Sequence, residues 1–169
     1  MLIWTVVKAI KYLALLASSK FERFDIMIGK EKDPKLKYYF LFQKSFMVHE
    51  YEKCYLCLMG SLKQGISHWD MVRKFINSIL PLLLRDKAYE RVEIMARELL
   101  GIKNIEKSYR KNLYMHLGNS LYYQKKNQQL AELIDEIELV QKETDHPLVL
   151  WYRQGMGRYD KTEGADPEA

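Results

Sequence analysis

The chain has 169 residues, 48% of them hydrophobic and 29% charged, with a net charge of +5. That is one domain's length of chain, and its 8 Gly, 4 Pro and three Thr (Thr5, Thr144, Thr162) are too few for a many-stranded β domain. The same composition excludes a collagen-like or disordered chain, and two cysteines make no disulfide framework.

In chain order, residues 2–17 form a first apolar run. Ile3, Val6, Val7, Ile10, Leu13, Ala14 and Ala17 recur at helical spacing, while Thr5, Lys8, Lys11 and Tyr12 fall mostly off that stripe. The expectation is an amphipathic helix that buries the stripe. Two lysines inside the run argue against a membrane span, and no cleavage signal follows it, so a membrane surface is not an expected partner. A block beginning at 19 (SKFERFDIMI) then opens a second helix. The pattern returns with apolar runs at 36–47, 70–85 and 107–123, each followed by a block, at 49–58, 87–96 and 126–135. Aligned on Phe21, Tyr51, Tyr89 and Gln128, the blocks repeat at intervals of 30, 38 and 39 residues. Apolar residues follow three and six places later: Phe24/Met27, Cys54/Cys57, Val92/Met95 and Ala131/Ile134.

The repeating unit is therefore helix A, a short turn, then helix B. Ser18-Ser19-Lys20, Val48-His49, Arg85-Asp86-Lys87 and Lys125-Lys126-Asn127 supply the turns. Pro34 and Pro147 each suit a first helical turn, whereas Pro81 should kink or split the third helix A. PLVLWYRQGM reads as a capping helix, and an acidic flexible tail is expected over 159–169.

These features resemble the tetratricopeptide repeat family. The closest stretch is LYMHLGNSLYYQKKNQQLAELIDEIE, with Leu117-Gly118, an aromatic at Tyr122 and Ala131 where helix B approaches helix A. LLLRDKAYERVEIMARELL carries the turn and helix B pattern; Phe24, Cys54 and Val92 stand where the family has a small residue. The texture is also similar to the peptide-sensing repeat domains of Gram-positive quorum-sensing regulators, although no separate DNA-binding domain is present in this sequence. The resemblance implies an all-α fold: a right-handed α-α superhelix of about four helix pairs and a capping helix, forming a single domain over 1–158.

The resemblance also implies that exposed faces of the A helices bind the ligand. Those positions are Asn112, His116, Asn119 and Tyr123, with Arg110 nearby, and Lys74 and Asn77 in the preceding repeat. Asn offers a donor and an acceptor to a peptide backbone, and Lys or Arg a charge to a carboxylate. A protein or peptide is thus the expected partner, with no cofactor, metal or catalytic residue. Cys54-x-x-Cys57 lacks the second pair that a zinc site needs, and Glu90/Glu93 and Asp135/Glu138 read as solvated faces. Two alternatives stay open. One is an immunity or antitoxin-type protein that neutralises a specific partner. The other is nucleic-acid binding by the basic N-terminal half, where residues 1–85 carry 14 Lys/Arg against 7 Asp/Glu, with Tyr38, Tyr39, Phe40, Phe42 and Phe46 as stacking candidates. Residues 126–169 are acidic, with 5 against 10. The free cysteines suit a cytoplasmic protein.

Overall fold

The computed structural model describes residues 2–66, 68–103, 105–140, 142 and 145–159. The tail expected over 159–169 lies, beyond Tyr159, outside the described residues. Among those described, the secondary structure is entirely helical, with no strand. Ten α-helices succeed one another: α1 (Leu2–Ala17), α2 (Phe21–Gly29), α3 (Pro34–Met47), α4 (Tyr51–Lys63), α5 (Trp69–Lys74), α6 (Leu80–Arg85), α7 (Tyr89–Leu100), α8 (Lys107–Tyr123), α9 (Asn127–Asp135) and α10 (Pro147–Tyr159). A π-helical segment, Phe75–Ile79, joins α5 to α6, and a second, Glu136–Val140, extends α9. Pro81 has no N–H, and its ring would collide with the carbonyl four residues earlier in a regular helix. A widened turn just before it is how the third helix A passes the proline.

One turn recurs between helices A and B. Ser19, His49, Lys87 and Lys125 each take a left-handed φ of 53–60°. In each turn the left-handed residue's N–H reaches the carbonyl three residues back, and the next N–H reaches five back. The pairs are Ser19 to Leu16 and Lys20 to Leu15, His49 to Phe46 and Glu50 to Ser45, Lys87 to Leu84 and Ala88 to Leu83, Lys125 to Tyr122 and Lys126 to Leu121, all at 2.8–3.2 Å. This is the Schellman helix ending, here built four times without the usual glycine. It also corrects the repeat register. Two residues after each left-handed position come Phe21, Tyr51, Tyr89 and Asn127, not Gln128, so the helix B starts are 30, 38 and 38 residues apart. In that register Phe24, Cys54, Val92 and Leu130 are equivalent and buried, as are Ile28, Leu58, Ala96 and Ile134. Ala131 is only half-buried, so Leu130 rather than Ala131 fills the inward position.

The helices gather into two compact units, Met1–Ile79 and Leu80–Ala169. In the first, α1 packs on α2 and α3, and α3 pairs with α4. Tyr12, Leu16, Phe24, Ile28 and Phe40 form one cluster, with the Tyr12 ring 5.0 Å from Phe40 and 6.0 Å from Phe24. Phe42, Cys54, Leu58, Met71, Phe75 and Ile76 are fully buried further along the unit. Most of the α3 aromatic run is thereby absorbed in packing.

The orientation of α1 reverses the expectation. Its inward side is Tyr12 and Leu16, whereas Val6, Val7, Ile10 and Leu13 are exposed. The reason is Glu31, buried and accepting from Tyr12 Oη (2.7 Å), Lys8 Nζ (2.9 Å) and the Asp33 N–H (3.0 Å). Burial alone would raise this carboxyl, but those three donors bring it down to about 2. A polar network thus occupies the side of α1 that polarity had assigned to solvent.

The second unit packs α8 against α6, α7, α9 and α10. Leu113, Leu117 and Leu121 of α8 are buried in its core, as are Val92, Met95, Leu99, Leu130 and Ile134. Gly118 lets α10 approach α8: a Cβ there would lie 2.5 Å from both Leu148 methyls. His146 starts α10, its Nδ1 accepting the Leu148 N–H at 3.1 Å, just ahead of Pro147.

Candidate binding site

Helix α8 is amphipathic in a way that sets out a candidate surface. With Leu113, Leu117 and Leu121 inward, Asn112, His116, Asn119 and Tyr123 recur at i, i+4, i+7 and i+11 on the opposite side. Asn112 and Tyr123 are exposed, and His116 and Asn119 are half-buried. The row ends in aromatic rings. Tyr123, 58% exposed, stacks on Tyr89 at the start of α7, with centroids 5.1 Å apart and planes 15° from parallel. Tyr122 meets Tyr123 edge-on at 5.5 Å, and meets Trp151 of α10 edge-on at 5.0 Å. Tyr89, Tyr123, Tyr122 and Trp151 therefore form one continuous, partly exposed aromatic surface. Tyr89 and Trp151 were not among the expected site residues. Their signal was an aromatic at the first residue of a helix B and another in the capping helix, adjacent to α8 only once the chain is folded.

Arg110 does not join this row. It lies on the inward side of α8, where Nη1 donates to the Leu100 carbonyl at 2.9 Å and reaches that of Ile102 at 3.5 Å, tying down the end of α7. It lines an open cleft of about 270 Å³ with Arg97, Tyr114 and Glu136. There the Tyr114 hydroxyl donates to Glu136 Oε1 at 2.8 Å; burial, then the Glu136 carboxylate, raises the phenol's pKa. Lys74 and Asn77 belong to the first unit. Lys74 Nζ donates to Gln43 Oε1 at 2.8 Å and sits 4.9 Å from the centre of the Phe46 ring, while Asn77 is exposed on the π-helical segment.

Two other sequence readings change. Glu93 is not on a solvated face: it is buried and accepts from Arg97 Nε (3.1 Å), Gln124 Nε2 (3.0 Å) and Lys126 Nζ (2.8 Å). Burial works against its charge, but the Lys126, Gln124 and Arg97 donors prevail and lower its pKa. Glu138 is half-buried and paired with Arg153. The cysteines are free, and burial pushes the Cys54 and Cys57 thiols up to about 12 and about 11, which leaves neither an activated nucleophile. Among the described residues, no group of three or more His, Cys, Asp or Glu is placed to hold a metal ion, and no helix is long and apolar enough to cross a membrane.

Compared with protein-family models, curated proteins and solved structures, the chain matches none.

Proposed function

We propose that the chain is a non-enzymatic, tetratricopeptide-like repeat module of a reducing, cytoplasmic compartment that binds a peptide or a helix of a partner protein. The partly exposed row on α8 is its contact surface. The observation that carries this reading is the aromatic surface Tyr89–Tyr123–Tyr122–Trp151 continuing the Asn112/His116/Asn119 row. Tyr and Trp supply large contact area with few rotatable bonds, and they dominate binding energy where partners dock. Asn carboxamides beside them pair with a peptide backbone irrespective of its sequence. The recurring helix ending and the 30–38-residue spacing support the superhelical arrangement that would present A helices to a ligand.

The test is binding to peptides selected from a displayed library, with the wild type compared to Asn112→Ala/Asn119→Ala and to Tyr123→Ala. Loss of affinity in both variants, with helicity preserved, supports the reading. Unchanged affinity in both removes the α8 row as the site.

A further inference from the structure

The outward face of α1 has no covering among the described residues, and its chemistry is one-sided. Trp4 is 74% exposed, Ile10 59%, Leu13 53% and Val6 51%; Val7 is exposed beside them. On a helical projection Val6, Val7, Ile10 and Leu13 form one stripe with the exposed Ala14 and Ala17, opposite the packed Tyr12 and Leu16. Trp4 and Lys11 lie together along one margin of that stripe. The sequence contains no acidic residue before Glu22, so Lys8 and Lys11 are the only charged side chains of α1. Residues 1–79 as a whole carry 13 Lys/Arg against 7 Asp/Glu.

We propose that α1 docks the protein on an anionic membrane surface, lying in the interfacial plane with Val6, Val7, Ile10 and Leu13 immersed and Trp4 and Lys11 at the headgroup level. An apolar stripe with a lysine and a tryptophan at its boundary has the components of an interfacial helix. At 16 residues α1 is too short to cross a hydrocarbon core of about 30 Å, so it would lie on the bilayer rather than span it. A second copy of the chain fits the face less well. A second α1 would offer Lys11 no carboxylate, since the helix carries none, whereas anionic headgroups complement it. The inward anchor, Tyr12 and Lys8 on Glu31, holds the helix with its apolar stripe outward, so docking requires no unfolding of the unit.

The experiment is co-sedimentation of the full chain with phosphatidylcholine vesicles, with and without phosphatidylglycerol, at low and physiological salt. Binding should require or strongly favour phosphatidylglycerol and weaken with salt. Ile10→Glu, on the exposed side and checked for native helicity, should lower partitioning by about tenfold or more. Lys11→Glu keeps the stripe and should chiefly reduce the preference for phosphatidylglycerol. Wild-type protein that stays in solution with both vesicle types overturns the proposal. So does Ile10→Glu binding as well as wild type. A dimer that Ile10→Glu converts to monomer, without vesicle binding by the wild type, assigns the face to self-association and likewise overturns it.

Discussion

Tyr12 donates its buried hydroxyl to Glu31 Oε2 at 2.7 Å, and with Lys8 on the same carboxylate this bond lies on the side of α1 that faces the protein. The ring packs among Phe24 and Phe40 while its polar tip finds a carboxylate already held by a backbone N–H. A tyrosine so satisfied buries its ring at no cost in unpaired polar groups.

Tyr12→Phe keeps the packing and deletes the bond, so it should destabilise the first unit by about 1–2 kcal/mol, read from the shift in urea midpoint. Lys8→Ala should cost less, about 0.5–1 kcal/mol, because Lys8 is half-exposed and its attraction is screened by water.

Acid sensitivity follows from the same carboxyl. The three donors hold Glu31 down at about 2 in the native protein against 4.5 in the unfolded chain, so between those values the unfolded chain binds more protons. Its stabilising contribution, on the order of 3 kcal/mol, is complete above about pH 5 and is lost as pH falls towards 2. Glu31→Gln should flatten that part of the stability–pH curve. An unaltered acid slope in the variant would show that Glu31 does not carry it.

The four A–B turns place residues with side chains where glycine is most at ease. Lys87→Gly and Lys125→Gly should each stabilise the second unit by about 0.5–1 kcal/mol, relief of the left-handed strain outweighing the added freedom of the unfolded chain. Lys87→Val should destabilise it, since a β-branched side chain tolerates that backbone poorly. Thermal midpoints of the variants provide the check.

At Gly118 the sign reverses. Alanine is the better helix former, yet its methyl would overlap the buried Leu148 side chain. Gly118→Ala should therefore destabilise by about 1–2 kcal/mol. In a Leu148→Ala background the same change should be neutral or favourable, and a double-mutant cycle measures the difference.

The helix runs and their turns were legible because apolar spacing and Pro34, Pro81 and Pro147 are local signals. Three features were not. The inward side of α1 depends on Glu31, 19 residues beyond Tyr12, and a stripe of valines looks buried until that partner is known. Glu93 resembles any surface glutamate in sequence, and besides nearby Arg97 its burial is supported by Lys126 and Gln124, more than thirty residues on. The register of the fourth repeat slipped by one because Asn127 carries no aromatic to mark the helix start. Of the expected site residues, the four on α8 share a face, since helical periodicity alone places them there. Arg110 departs because its guanidinium finds the last carbonyls of α7.

The most direct test of the proposed function is the affinity of library-selected peptides for the wild type and for Tyr123→Ala, measured by fluorescence anisotropy. Tyr123 is exposed but stacks on Tyr89, so its loss should cost about 1 kcal/mol of stability and leave the fold intact. The proposal predicts a loss of about tenfold or more, the share of a binding hot spot. Selected peptides that bind Tyr123→Ala as tightly as wild type, or a selection that yields none, would contradict it.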